Sequence, residues 1–171
     1  TQEEADAIFA KIVFTTNMRQ AADADLIVEA IVENMGIKKD LFRQLDTIVK
    51  PEAIFATNTS SISPTELASA TKRADRFIGM HFFNPATVMK LIEVIRGANT
   101  SQETFTTVYE LAQSLGKEPI EVAEAPGFVV NKIMSPMINE AIGLVETGVA
   151  TPEDIDKAMR YGANHPMGPL A

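Results

Sequence analysis

A histidine and a glutamate that can exchange and hold a proton lie twelve positions apart in otherwise apolar sequence, at His81 and Glu93. A buried carboxylate without a partner is costly, so Glu93 needs a donor nearby. His81 is one candidate, and Lys90 and Arg96 are others. If the partner is His81, one imidazole nitrogen is held by the carboxylate and the other is left to exchange a proton with a substrate, which is general acid–base chemistry.

Other polar side chains follow three successive apolar runs, and ligands of open α/β sheets bind beyond the carboxyl ends of the strands. We expect these side chains to converge on one crevice: Glu29, Glu33, Asn58, Thr59, Ser60, Ser61, His81 and Asn84. The Asn-Thr-Ser-Ser cluster and Glu33 can alternatively be turn and cap chemistry. A histidine at a strand end can likewise be a satisfied rim residue, and Asn131 a satisfied amide between helices.

Composition argues against proteins that bind nucleic acid, span a membrane or hold a metal ion. The 171 residues carry a formal charge of −8, with 46% hydrophobic and 22% charged residues and no cysteine. The negative charge argues against a nucleic-acid partner or an anionic membrane surface. No apolar run approaches the roughly 20 residues of a membrane span. Without cysteine and with only two histidines, we expect no metal site.

Apolar periodicity and turn signals predict strands that alternate with helices. Strands are expected over residues 12–15, 24–32, 53–57, 77–83, 91–95 and 119–122. Helices are expected over residues 1–11, 37–49, 100–115, 128–147 and 151–161, with a further one opened by Ser63 and Pro64. This alternation is typical of a mostly parallel, doubly wound α/β sheet.

The pattern changes near Pro126, which predicts an α/β part over residues 1–125 and an all-helical part over residues 126–171. A dinucleotide-binding sheet normally opens with a strand, the turn G-x-G-x-x-G and a helix, and this motif does not occur in the chain. Both ends break off within a pattern, so we expect the chain to be a fragment.

Four strings carry a resemblance to a known family: ATNTSSISPTELA, RFIGMHFFNPATVMKLIEVI, AEAPGFVVNKI and the final EDIDKAM with GANHPMGPL. They resemble the 3-hydroxyacyl-CoA dehydrogenase family, most closely its short-chain bacterial members, from about Ala24 to the last residue. The resemblance implies a Rossmann-type NAD-binding domain lacking its first βαβ unit, followed by the first helices of a dimerisation domain. It also implies NAD-dependent interconversion of L-3-hydroxyacyl-CoA and 3-ketoacyl-CoA, with 3-hydroxybutyryl-CoA and acetoacetyl-CoA as the expected pair.

The resemblance also implies roles for particular residues. His81 matches the catalytic acid–base, and Glu93 matches the carboxylate paired with it. Ser60 and Asn131 match the residues that bind the substrate. The positions that match cofactor-binding residues are Glu33, Lys38, Ser60 and Asn84.

The remaining expectations concern partners and location. The resemblance implies an acyl-CoA substrate, a homodimer or higher homo-oligomer, and a cytoplasmic protein. Residues 1–171 alone are expected to turn over negligibly, because they contain no glycine-rich cradle for the pyrophosphate. Alternatives are a non-catalytic, crystallin-like member of the same scaffold, the dehydrogenase portion of a larger fatty-acid oxidation protein, or a different dehydrogenase of this fold that acts on 6-phosphogluconate.

Overall fold

A computed structural model describes residues 1–171, which form one five-stranded sheet with helices around it. The strands lie in chain order across the sheet: β1 Leu26–Glu29, β2 Ile54–Thr57, β3 Phe77–Phe82, β4 Leu91–Arg96 and β5 Glu118–Ala123. The helices are α1 Gln2–Phe9, α2 Met35–Asp46, α3 Pro64–Ala68, α4 Gln102–Ser114, α5 Val130–Glu146 and α6 Pro152–Gly162. Two short 3₁₀ segments cover Met18–Ala21 and Ala74–Arg76.

The sheet is mixed, and its direction reverses once. The strands β1, β2 and β3 are mutually parallel, β4 runs antiparallel to β3, and β5 is parallel to β4. Helices connect the parallel pairs, whereas only residues 83–90 connect β3 to β4, which is too short for a parallel crossover. The predicted α/β, mostly parallel Rossmann-type sheet is confirmed.

Two apolar layers cover the two faces of the sheet, because successive strand residues point to opposite sides. Ile54 and Ala56 of β2 belong to one apolar cluster with Phe105 and Val108 of α4. The alternate residues of the sheet face α2 and α3 in the second layer, which includes Phe42, Phe55, Phe77 and Leu67. Both faces are thus buried beneath helices, which explains why the strands read as continuous apolar runs.

Local sequence signals predicted the starts of α3 and α6 correctly. Ser63 accepts a hydrogen bond from the Glu66 N–H and Pro64 is the first residue of α3, while Thr151 accepts one from the Asp154 N–H at the start of α6. Gly116, just after α4, has a φ of 71°, a left-handed conformation that favours glycine.

The strand predicted over residues 12–15 was wrong. This segment has irregular backbone, and its apolar side chains are exposed, with Val13 at 77% and Phe14 at 81%. No strand of the sheet lies beside the segment to exchange backbone hydrogen bonds with it. None of the helices has the length and apolar character needed to cross a membrane.

Gly79 is the position where the sheet has no room for a larger residue. It lies opposite Ile95 across β3 and β4, and a Cβ atom added to Gly79 would come within 2.8 Å of the Ile95 Cβ. We predict that Gly79→Ala lowers the free energy of unfolding by about 1–3 kcal/mol, because overpacking forces the strands apart.

Urea denaturation measures this effect, and Gly143→Ala is the matched control. Nothing lies within 4 Å of a Cβ added at Gly143 in α5, and alanine is favoured over glycine inside a helix. The control should be as stable as the wild type or more so. Wild-type stability of Gly79→Ala would show that the contact between β3 and β4 is looser than described.

Candidate active site

The pairing of β3 with β4 brings His81 and Glu93 directly opposite each other. The His81 Nδ1 atom lies 2.7 Å from Glu93 Oε2. Both side chains are buried, with Glu93 fully enclosed and His81 only 4% exposed. A carboxylate oxygen only accepts hydrogen bonds, so the geometry requires the proton to be on Nδ1. His81, rather than Lys90 or Arg96, is the partner of Glu93 in the structure.

The second oxygen of Glu93 is bound to the start of helix α5. Glu93 Oε1 accepts hydrogen bonds from the backbone N–H groups of Val129 and Val130, both at 3.0 Å. The helix has no side-chain cap of its own, so this strand carboxylate satisfies two of its free N–H groups. The positive end of the helix also favours a negative charge at this place.

The imidazole of His81 is enclosed by aromatic rings and leaves one nitrogen directed at Ser60. The ring of Phe83 lies 4.6 Å and that of Phe128 5.6 Å from the imidazole, centroid to centroid. The Nε2 atom lies 3.2 Å from the hydroxyl oxygen of Ser60, which is an exposed residue in the loop after β2. With Nδ1 protonated, Nε2 accepts the hydrogen bond and Ser60 donates it.

Ser60 and Asn131 line the same open cleft, which has a volume of about 390 Å³. The lining residues are Ser60, Ser61, Pro126, Gly127, Asn131, Lys132, Ser135 and Pro136. Asn131 lies in the first turn of α5, directly after the residues held by Glu93. The cleft therefore has the Ser60 loop on one side and the start of α5 on the other.

Glu33 gathers the loop after β2. Its Oε1 atom accepts hydrogen bonds from the Thr59 hydroxyl, from the Ser60 N–H at 2.9 Å and from the Ser61 N–H at 3.2 Å. Partial burial works against ionisation, but the Thr59 hydroxyl, the Ser60 N–H and the ammonium of Lys38 outweigh it and lower the pKa of Glu33. Glu33 is therefore a charged group, and its side chain is 39% exposed.

Lys38 lies inside the fold rather than at the crevice. Its Nζ atom lies 2.6 Å from Glu29 Oε1 and 3.2 Å from Glu33 Oε2, and its side chain is only 1% exposed. A ligand in the crevice therefore meets the carboxylate of Glu33 and not the ammonium of Lys38. The predicted role of Lys38 at the cofactor stays a prediction.

The predicted convergence of strand ends is seen in the structure, but the prediction that Glu29 and Thr59 reach a crevice was wrong, because both residues are buried. Besides the contacts of Glu33 and Ser60, the side chain of Asn58 accepts a hydrogen bond from the Phe82 N–H at 2.8 Å and so joins the ends of β2 and β3. Asn84 is exposed at the same edge and precedes a cis peptide bond to Pro85.

Some groups of the site carried no sequence signal. The backbone N–H groups that hold Glu93 have none, because valine at positions 129 and 130 looks like ordinary helix core. Thr59 is one of several polar residues after β2, and nothing in the sequence indicates its complete burial. No cluster of three or more histidine, cysteine, aspartate or glutamate side chains is arranged to hold a metal ion.

Fold and site together describe a Rossmann-like α/β protein with a histidine–carboxylate pair at the ends of its strands. The chain matches the family model "3-hydroxyacyl-CoA dehydrogenase, NAD binding domain" over residues 1–125 and "3-hydroxyacyl-CoA dehydrogenase, C-terminal domain" over residues 127–171. The chain therefore belongs to the 3-hydroxyacyl-CoA dehydrogenase family, which confirms the resemblance seen in the sequence.

Individual relatives agree with this assignment. The chain is 59% identical over 164 residues to 3-hydroxybutyryl-CoA dehydrogenase of Clostridioides difficile, which covers 96% of this chain and 58% of that protein. A probable 3-hydroxybutyryl-CoA dehydrogenase of Bacillus subtilis is 51% identical over 171 residues, covering 100% and 60%. The crystal structure of (S)-3-hydroxybutyryl-CoA dehydrogenase from Ralstonia eutropha superimposes with a TM-score of 0.96 at 49% identity, covering 99% and 60%. The chain thus spans about three fifths of the length of these relatives.

The lowered pKa of Glu33 predicts a pH dependence of stability. A carboxylate whose pKa is lower in the folded state stabilises the fold above its unfolded pKa of about 4.3, and the effect is lost as the pH falls through the folded value. The wild type should therefore be more stable than Glu33→Gln at neutral pH, and the difference should shrink in acid.

Urea denaturation of both proteins between neutral and acidic pH measures this difference. Glu118→Gln is the control, because it removes an exposed carboxylate whose side chain accepts no hydrogen bond in the structure. A stability difference between wild type and Glu33→Gln that did not change with pH would contradict the described contacts of Glu33.

Proposed function

We propose that the protein carrying this chain is an NAD-dependent dehydrogenase that interconverts L-3-hydroxyacyl-CoA and 3-ketoacyl-CoA. The expected pair is 3-hydroxybutyryl-CoA and acetoacetyl-CoA, as the names of the relatives suggest. The observation that carries the proposal is the buried His81–Glu93 pair, whose free nitrogen faces Ser60 at the edge of an open cleft.

The residues at the strand ends fit a dinucleotide. Glu33 offers a charged, partly exposed carboxylate that suits the hydroxyl groups of a ribose. Ser60 offers a hydroxyl and Asn84 an exposed carboxamide, both of which donate and accept hydrogen bonds. We propose that these three residues contact NAD and that Lys38 supports Glu33 from below. When bound, NAD supplies the acceptor or donor of the hydride.

In the oxidising direction, His81 Nε2 takes the proton of the 3-hydroxyl group as hydride leaves C3. In the reducing direction the same nitrogen returns it. Glu93 keeps the Nδ1 proton in place, so that Nε2 presents its lone pair to the substrate, and it stabilises the imidazolium once the proton has been taken. The aromatic rings around the imidazole limit its other contacts.

Ser60 and Asn131 position the substrate in this proposal. Ser60 lies within hydrogen-bond distance of Nε2, so an oxygen on C3 that contacts the histidine also lies within reach of the Ser60 hydroxyl. Asn131 reaches the cleft from α5 and is available to bind the thioester oxygen. Hydrogen bonds to both oxygens fix the position of C3 relative to His81. This orientation lowers the entropic part of the activation barrier.

The proposal extends to the organisation of the protein. We propose a boundary near residue 126 between a cofactor domain and a helical domain, a homodimer or higher homo-oligomer, and a cytoplasmic location. The oligomer is supported by the resemblance of both parts of the chain to the family. Negligible turnover by residues 1–171 alone stays a prediction.

The proposed acid–base role predicts the effect of His81→Gln. This variant should lose activity by about 10²–10⁴-fold, the usual contribution of a general acid–base, while keeping its fold. Oxidation of NADH that depends on acetoacetyl-CoA measures the activity, and circular dichroism checks the fold.

The matched control is His165→Gln, which changes the other histidine of the chain, in the loop after α6. It should keep wild-type activity. If His81→Gln retained most of the activity, the assignment of His81 would be wrong. If the wild type showed no oxidation of NADH with any 3-ketoacyl-CoA, the proposed reaction itself would be wrong.

A further inference from the structure

One carboxylate oxygen of Glu33 accepts hydrogen bonds from three consecutive residues, 59–61, of the loop that carries Ser60. Four donors from this loop converge on Oε1: the Thr59 hydroxyl, the backbone N–H groups of Ser60 and Ser61, and the Ser61 hydroxyl. The other oxygen of the same carboxylate, Oε2, faces Lys38. A single side chain therefore connects the cofactor edge of the crevice with the serine that touches His81.

Thr59 is the buried member of this loop. It has no exposed surface, whereas Ser60 and Ser61, which follow it in the chain, are exposed. Its hydroxyl donates to Glu33 and accepts hydrogen bonds from the Ile62 N–H at 2.8 Å and the Ser61 N–H at 3.3 Å. The Thr59 hydroxyl thus closes a turn over residues 59–62 and binds this turn to the Glu33 carboxylate. These contacts set the position of Ser60.

A chain of buried polar groups, formed by Thr57, Glu29 and Lys38, also holds Thr59 in place. The Thr57 hydroxyl accepts a hydrogen bond from the Thr59 N–H at 3.3 Å and donates one to Glu29 Oε2 at 2.7 Å. Glu29 in turn accepts from Lys38 at 2.6 Å and from the Ile31 N–H at 2.7 Å. Buried polar groups are tolerated only when they are satisfied, and every buried side-chain polar atom of the chain has a partner. The loop is therefore fixed from both of its sides.

We propose that Thr59 is a positioning residue of the site, acting through Glu33 on Ser60. The inference rests on the proposed function, in which Ser60 contacts the substrate and Glu33 the cofactor. It adds that the two contacts are linked: the carboxylate proposed to meet the ribose also holds the backbone N–H of the substrate serine with Oε1, and the Thr59 hydroxyl keeps this carboxylate in place. Loss of that hydroxyl displaces both binding groups together.

Three variants of the protein that carries this chain test the proposal. Thr59→Val removes the hydroxyl at nearly constant volume, and Thr59→Ser restores it. The matched control is Thr104→Val, which removes an equally buried hydroxyl that donates to the Asp75 carbonyl, next to the opposite end of β3. Steady-state kinetics gives kcat and the KM values for acetoacetyl-CoA and NADH, and amide hydrogen exchange of residues 60–62 is followed in the ligand-free protein.

Thr59→Val should lower kcat/KM about tenfold, the factor expected when one hydrogen bond to a charged group is lost, with both KM values raised. It should also speed amide exchange of residues 60–62 without ligand. In Thr59→Ser, kcat/KM and the amide exchange rates should return to within about twofold of the wild type. In Thr104→Val, both quantities should stay within about twofold of the wild type. If Thr59→Val failed to fold, faster exchange in Glu33→Gln would support the same linkage.

Several results would overturn the inference. Wild-type kinetics and exchange in Thr59→Val would show that the hydroxyl does not set the loop, and so would unchanged exchange in Glu33→Gln. Equal losses in Thr59→Val and Thr104→Val would show a general effect on stability. A wild type without acetoacetyl-CoA-dependent oxidation of NADH, together with faster exchange in Thr59→Val, would sink the proposed function while leaving the structural linkage intact.

Discussion

The site depends on one buried carboxylate, that of Glu93. An ionised carboxylate loses several kcal/mol of solvation inside a protein, and only good hydrogen bonds offset this cost. Glu93 has three donors: the His81 imidazole on the neighbouring strand and two backbone N–H groups at the start of α5. The donors come from two parts of the chain far apart in sequence, so the carboxylate is satisfied only when β3, β4 and α5 are all in place.

The same contacts explain how the fold positions the chemistry. Because Glu93 holds both His81 and the start of α5, it sets the relation between the proposed acid–base and Asn131 across the proposed domain boundary. Glu33 has a comparable role at the other edge of the crevice, where it gathers the loop that carries Ser60. Two carboxylates thus fix the Ser60 loop and the start of α5, the two segments that border the cleft.

The sequence predicted those features that depend on local patterns. The strands, the helix caps and the need of Glu93 for a partner followed from apolar periodicity, turn residues and the cost of a buried charge. The donors at residues 129 and 130 could not be predicted, because backbone N–H groups look the same in every sequence. The burial of Lys38 was missed for a related reason, since a lysine in an amphipathic helix usually reaches solvent. The prediction of a strand at residues 12–15 was wrong, because an apolar run forms a strand only when it lies beside another strand.

The most direct test of this account is the tautomer of His81, read from nitrogen-15 NMR spectra of the ligand-free protein labelled at histidine. The account predicts that the neutral imidazole carries its proton on Nδ1, bound to Glu93, with Nε2 unprotonated and facing Ser60. In Glu93→Gln this preference should be lost, because the amide can also donate to Nδ1. A neutral imidazole protonated on Nε2 in the wild type would contradict the central claim that Glu93 orients the His81 imidazole.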